Sequence, residues 1–273
     1  MRVILAESAG FCYGVRRAVE LARETAEKSG GCWMLGDLIH NSHVIDELKH
    51  LGVQRVKSID ALQPGDTVLI RSHGESKQIL ERLQAMGICC VDATCPNVRR
   101  IQTLAAQAEA EGRTPVIIGD AAHPEVAGIA SWCRHPLVFS GPEAVEAWLN
   151  SGPEARETPL TVMAQTTCIR ELFETSWKIV KKECTNAKKF DTICTATHKR
   201  QSEAAILAAK VDVMVVVGDR KSANTKHLTE ICKESCRRAV QIENADELSP
   251  DFFSGCSVAG LTAGASTPAG IIK

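Results

Sequence analysis

The sequence predicts an α/β fold built as a ring of three pseudo-equivalent units, each with a small, mainly parallel sheet flanked by helices. Three observations lead there. Apolar runs such as Val68-Leu69-Ile70, Val116-Ile117-Ile118 and Val213 to Val217 are continuous rather than alternating, as expected of parallel strands covered on both faces. Stretches of helical period separate these runs. The same order of elements recurs three times, with a cysteine at the same place in each copy.

Along the chain, Arg2 to Ala6 is a short strand leading to Cys12. From Cys12, the residues Val15, Ala18, Val19 and Ala22 recur with helical period, and 24 residues on Gly36-Asp37 closes an apolar run. Thr67 to Ile70 is the next strand and ends at Ser72-His73-Gly74; after a helical stretch, Ile88 to Val91 forms a last strand before Cys95. The second copy repeats the pattern. Cys95 leads into Val98, Ile101, Leu104 and Ala105, and Gly119-Asp120 again lies 24 residues on. Leu160 to Ala164 then ends at Gln165-Thr166-Thr167, and Phe190 to Ile193 precedes Cys194. The third copy runs from Cys194 through Ala204, Ala205, Leu207 and Ala208 to Gly218-Asp219, 24 residues on, and then from Ser257 to Thr262 before Gly264-Ala265-Ser266. Only seven residues follow Ser266, so its closing strand and cysteine are missing and the helix expected after Pro268 is cut short. The N-terminal strand and Cys12 are the spare pair. The expected units are therefore 14–94, 95–193 and 194–273, the last completed by 1–13.

With 273 residues, 44% of them hydrophobic, the chain can bury one large core or several small ones. Its 32 basic and 33 acidic residues are spread along the sequence for a net charge of −1. Nothing marks a nucleic-acid or anionic-membrane surface, and a small-molecule partner is expected. No run approaches the roughly 18 apolar residues of a membrane span, and Met1 to Ala6 is too short for a signal-peptide core. The expected location is cytoplasmic, where the 12 cysteines would be reduced thiols, buried residues or metal ligands rather than disulfides.

Ligands of parallel sheets gather at the carboxyl ends of the strands, where Cys12, Cys95 and Cys194 all fall. Three thiolates converging on one point make a poor complete zinc site, since structural zinc takes four protein ligands and catalytic zinc favours histidine. They suit a cubane iron-sulfur cluster, which normally takes four cysteines, with one iron left open to substrate. The alternative is three ordinary buried cysteines. That role is expected of most of Cys32, Cys89, Cys90, Cys133, Cys168, Cys184, Cys232, Cys236 and Cys256.

His40, His73 and His123 follow strand ends and precede helices. Lys221-Ser222-Ala223-Asn224 fills the corresponding loop of the third copy, and Thr166 and Ser266 are the other polar tips. Imidazoles, hydroxyls and an amide at helix starts form an oxyanion cradle, because free N–H groups and the helix dipole favour negative charge there. A phosphate or diphosphate is the natural guest. Ser222, Asn224, Thr166 and Ser266 are equally at home as helix caps. Pro124 at a helix start puts Glu125 in the first turn, where the dipole stabilises a carboxylate. As the only carboxylate within the histidine motif, Glu125 is also the candidate proton donor.

Six motifs together resemble the 4-hydroxy-3-methylbut-2-enyl diphosphate reductase family: Gly10-Phe11-Cys12-Tyr13-Gly14-Val15, Asp92-Ala93-Thr94-Cys95-Pro96, His123-Pro124-Glu125-Val126, Gln165-Thr166-Thr167, Ser222-Ala223-Asn224 and Thr262-Ala263-Gly264-Ala265-Ser266-Thr267. That family catalyses the last step of the methylerythritol phosphate route to isoprenoids, and the resemblance runs the length of the chain. It implies a trefoil of three pseudo-equivalent α/β units around a central 4Fe-4S cluster held by Cys12, Cys95 and Cys194 with one iron open. It also implies a diphosphate held by His40, His73, His123, Ser222, Asn224 and Ser266, and an allylic hydroxyl oriented by Thr166. Glu125 would supply protons, with Thr166 and His123 completing the catalytic set. The implied reaction removes the hydroxyl as water with two electrons and two protons, giving isopentenyl and dimethylallyl diphosphates, with electrons from a donor such as ferredoxin or flavodoxin. Ala223 stands where many members carry a second serine, so one diphosphate hydrogen bond is absent or replaced, and Asp120 stands where a histidine is frequent. Two other readings compete. A quinolinate-synthase-like dehydratase also joins three α/β units to three cysteines and an open iron, but the histidine and glutamate motif disfavours it. A non-enzymatic iron-sulfur or zinc sensor predicts metal binding without an organised diphosphate site.

Overall fold

The computed structural model describes residues 1–273. The chain opens on β1 (Arg2–Leu5) and α1 (Tyr13–Ser29), followed by β2 (Cys32–Leu35), α2 (Ser42–His50), β3 (Val53–Val56), β4 (Thr67–Ile70), α3 (Lys77–Ala85) and β5 (Cys89–Asp92). Then come α4 (Pro96–Ala110), β6 (Thr114–Ile118), α5 (Pro124–Ala130), β7 (Leu137–Phe139), α6 (Pro142–Leu149), α7 (Glu154–Glu157), β8 (Leu160–Ala164), α8 (Arg170–Glu183) and β9 (Ala187–Lys189). The chain ends with α9 (Thr195–Ala208), β10 (Val213–Val217), α10 (Ala223–Ser235), β11 (Ala239–Ile242), β12 (Val258–Ala263) and α11 (Ala269–Ile272). No helix is long and apolar enough to cross a membrane.

The twelve strands form three four-stranded parallel sheets, ordered β3-β2-β4-β5, β7-β6-β8-β9 and β11-β10-β12-β1. The order is the same in all three once β1 is read as the last strand of the third. β1 pairs with β12 from Arg2 opposite Val258 to Leu5 opposite Leu261. In each sheet the chain reverses its direction of winding between the two central strands, the place where parallel sheets open a crevice for ligands.

Each sheet is covered on both faces, as the unbroken apolar runs require. In the first, Met34 and Leu69 pack against Ala18, Val19 and Ala22 of α1, while Leu35, Val68 and Ile70 point the other way onto Leu83 of α3. Fully burying each such side chain contributes about 1.5–3 kcal/mol. The second and third sheets divide their cores in the same way. α1 stops at Gly30, whose φ of 69° is the left-handed conformation that closes a helix without a Cβ clash.

One local expectation needs correction. The strand expected over Phe190 to Ile193 lies earlier, at Ala187–Lys189. Phe190 still donates to Val162 O (2.9 Å), but beyond it the Thr192 side chain replaces the backbone, accepting from Ala164 N (2.8 Å) and donating to Ala164 O (2.7 Å). Of the nine remaining cysteines, most are core residues as expected. Cys32, Cys168, Cys184, Cys232 and Cys236 are buried, whereas Cys133 and Cys256 are half-buried and Cys89 and Cys90 are exposed on β5, which has a neighbour on one side only.

Candidate active site

Cys12, Cys95 and Cys194 are the N-caps of α1, α4 and α9, positions where unpaired N–H groups and the helix dipole favour a negatively charged neighbour. Their backbones are held alike. Each cysteine N–H donates to the carbonyl two residues past the end of an adjacent central strand: Cys12 to Ala265 (3.1 Å), Cys95 to Ser72 (2.9 Å) and Cys194 to Thr166 (3.0 Å). The threefold repeat thus extends to single hydrogen bonds, and the three side chains line one central cavity. Gly14, in the first turn after Cys12, lies so near Cys95 that an added Cβ would sit 2.6 Å from its sulfur. Asn97, two residues past Cys95, donates through Nδ2 to the Cys194 sulfur (3.1 Å). Burial raises the Cys95 thiol above its ordinary value, and the charges of Cys12 and Cys194 push it the same way. Cys95 is thus within electrostatic reach of the other two sulfurs.

The other wall of the cavity comes from two more sets of equivalent positions. His40, His123 and Ser222 each stand five residues past the end of β2, β6 and β10. His73, Thr167 and Ser266 each stand three residues past β4, β8 and β12. All six line the cavity with Glu125, Thr166 and Asn224. The imidazoles of His40 and His73 lie 4.3 Å apart between centroids, and His123 stands edge-on to both at 5.4 Å. Burial lowers the pKa of all three: His123 to about 4 and His73 well below the ordinary value, with neighbouring imidazoles adding repulsion, and His40 less, since Asp219 and Asp37 oppose the shift. An empty cavity therefore holds neutral rings at neutral pH.

The ring nitrogens are also the one group of donors within 4.8 Å of one another that could share a metal ion. His123 argues against that use. The backbone N–H of Glu125 donates to its Nδ1 (3.1 Å), which leaves the ring proton on Nε2 and no free lone pair for a cation. The trio is built to donate hydrogen bonds to an anion.

Glu125 is buried at 2% exposure, and both its oxygens face Thr166, one accepting from the backbone N–H (2.6 Å) and the other from the hydroxyl (2.7 Å). Burial raises the Glu125 pKa, opposed by these two bonds. The Thr166 hydroxyl keeps a lone pair for one more donor. Ser222 accepts from Thr225 N (3.4 Å) as the N-cap of α10, which leaves its own proton free. Ser266 instead donates to the carbonyl of His40 (2.8 Å), so its hydroxyl must rotate before it can donate to an anion. Ala223 brings no hydroxyl to the cavity, and Asp120 lies outside it, lining a neighbouring cleft.

His40 Nε2, His73 Nδ1, Thr167 Oγ1, both polar atoms of Asn224, and Nε and Nη1 of Arg200 are buried without partners. Each such orphan costs about 1–3 kcal/mol, and their convergence on one cavity fits a polar, anionic occupant. Three sulfurs at helix N-termini line the same cavity and supply three of the four thiolates an iron-sulfur cluster usually takes, so the residues present fit it with one position left to another ligand.

Thr167, Asn97 and Arg200 were not singled out from sequence. Thr167 could have been, since it shares the strand-end offset of His73 and Ser266. Nothing local marks Asn97 or Arg200, whose partners are about 100 and 190 residues away.

Comparison with known proteins agrees with this geometry. The family described as LytB protein matches residues 3–273. The 4-hydroxy-3-methylbut-2-enyl diphosphate reductase of Geobacter sulfurreducens is 42% identical over 280 residues, and that of Caldanaerobacter subterraneus subsp. tengcongensis 38% over 281 residues, each alignment covering 100% of this chain and 94% of the relative. A solved structure described as (E)-4-hydroxy-3-methyl-but-2-enyl diphosphate reductase, the terminal enzyme of the non-mevalonate pathway, superposes with a TM-score of 0.71 at 37% identity, covering 100% of this chain and 96% of that one. The E-1-hydroxy-2-methyl-but-2-enyl-4-diphosphate reductase of Plasmodium falciparum shares the fold, with a TM-score of 0.93 at 24% identity over 99% of this chain and 85% of its own. Matched along essentially its whole length in sequence and in fold, the chain belongs to the LytB family of reductases.

Proposed function

We propose that the cavity carries out the reductive dehydroxylation of (E)-4-hydroxy-3-methylbut-2-enyl diphosphate to isopentenyl and dimethylallyl diphosphates. The observation that carries this reading is the Glu125–Thr166 pair, buried between three thiols and a cradle of neutral imidazoles. Cys12, Cys95 and Cys194 would hold a 4Fe-4S cluster with one iron free of protein ligands, which when bound supplies electrons and Lewis acidity. His40, His73, His123, Ser222, Asn224 and Ser266 grip the diphosphate, their N–H and O–H groups matching its charge.

The remaining work falls to Thr166 and Glu125. With Glu125 protonated, Thr166 accepts from that carboxyl and turns its own O–H toward the substrate's allylic oxygen, which fixes the direction of transfer. Glu125, whose burial keeps a proton on its carboxyl to higher pH, passes that proton through Thr166 so that the hydroxyl leaves as water. Two electrons enter, one proton leaves with the oxygen and a second is added at carbon, which balances the reaction. His123, tied by its Nδ1 to the Glu125 backbone, keeps the carboxyl and the diphosphate end in register. A small acidic electron carrier such as ferredoxin or flavodoxin supplies the electrons. We place the activity in the cytoplasm, where twelve free thiols remain reduced.

Anaerobic reconstitution with iron and sulfide tests the reading. The expected result is a brown protein with about four irons whose spectrum changes when the allylic diphosphate is added. A protein that takes up zinc instead and ignores diphosphates would establish a sensor.

A further inference from the structure

Arg200 is the one residue with a permanent positive charge in the cavity wall. It is 3% exposed and sits in the second turn of α9, the helix that Cys194 caps. Its Nη2 donates to the carbonyls of Ser8 and Gly10, both at 2.6 Å, in the loop that leads to Cys12. Nε and Nη1 are buried with no partner. Glu203, a carboxylate that acts on it, is taken up by the backbone N–H groups of Glu7 and Ser8 and the Ser8 hydroxyl. Burial lowers the guanidinium pKa, while Cys12 and Cys194 favour the charged form. A buried cation with no bonded counter-charge is strongly unfavourable unless an anion stands beside it. The side chains whose negative charge would act on it most are Cys12 and Cys194, ahead of Glu203.

We propose that Arg200 is a positioning residue that supplies the buried counter-charge of the iron-sulfur cluster and raises its reduction potential. The proposal rests on the cluster reading above. Three thiolates leave such a cluster net anionic when oxidised and more so when reduced, so a fixed cation in a water-poor cavity stabilises the reduced state more. Nε and Nη1 of Arg200 carry three N–H bonds with no protein acceptor and are open to an anionic occupant of the cavity. By anchoring the Ser8–Gly10 loop to α9, it also holds Cys12 in register with Cys194.

Midpoint potentials from anaerobic redox titration, followed by electron paramagnetic resonance, test this on the reconstituted wild-type chain, Arg200→Gln, Arg200→Met and Arg200→Lys, with iron content and unfolding midpoint measured for each. A wild-type chain that forms no cluster would defeat the functional reading itself, before Arg200 enters. The expected result is a neutral variant at least tenfold harder to reduce, a fall of about 59 mV for a one-electron step, with Lys restoring most of it. Met, of similar length and without polar atoms, stands in should Gln fail to fold. A folded neutral variant that holds no iron beside a Lys variant that does would equally support the proposal. Unchanged potential in the neutral variants, an equal fall in Lys and Gln, or loss of iron in Lys as well would overturn it.

Discussion

Glu125 shows how little of a carboxyl group's chemistry lies in its own sequence neighbourhood. Its position after Pro124 is enough for a helix-dipole role, and that reading stays open until Thr166, 41 residues away, is seen to bind both its oxygens. Burial then raises its pKa, which suits an acid rather than a helix-start anion. Glu125→Gln should keep the fold and the iron yet cut turnover by roughly 10²- to 10⁴-fold, because the amide has no proton to give. Wild-type kcat should fall as pH rises through the raised Glu125 pKa, since the acid must be protonated to act. That alkaline limb should vanish in the residual activity of the Gln variant. Single-turnover rates with an artificial electron donor across pH would measure both, and undiminished turnover would remove Glu125 from the proton path.

Helix starts are the functional unit at the next scale, because they combine unpaired N–H groups with a fixed direction. The cysteines, His123 and Ser222 all occupy N-cap positions, and apolar periodicity places these starts without coordinates. What periodicity cannot give is how closely one helix start approaches the next. Gly14 lies inside α1, where alanine would ordinarily favour the helix by about 1 kcal/mol, but its Cβ would strike the Cys95 sulfur. Gly14→Ala should therefore leave the unfolding midpoint of the apoprotein equal or higher while sharply reducing iron retention. Thermal unfolding and iron analysis on the same sample would show the split. Equal iron in both proteins would mean that Cys95 has room to move.

At the scale of the whole molecule, the cavity exists only where three sheets meet, and its three imidazoles come from two of them. Burial holds His123 near 4 in the folded chain against 6.5 for an ordinary imidazole. A pKa depressed by folding gives stability that is complete above 6.5 and lost as the pH falls toward 4, here about 3 kcal/mol for that ring. An anion in the cradle raises these pKa values again, so its binding takes up protons and strengthens as the pH falls from neutral toward 4. Unfolding midpoints of the apoprotein should drop over that window and be restored by inorganic pyrophosphate, and titration calorimetry in two buffers should show proton uptake. Pyrophosphate binding that is flat or weaker at pH 5 would mean the rings stay neutral or face elsewhere. The sequence alone settled the central strands, the helix starts that carry the cysteines and the threefold repeat, because apolar period and the spacing from cysteine to Gly-Asp are local in the chain; the outer strands β3, β7 and β11 and the true place of β9 came with the structure. With them came Cys12, Cys95, Cys194, His40, His73 and His123, which inherit their places from that repeat. The tertiary structure decided what those residues face: the tautomer of His123, the Glu125–Thr166 pair, Asn97 against Cys194 and the unpaired charge of Arg200. Each depends on a contact between segments brought together by packing, and the distance between such segments is not encoded in the spacing of either one.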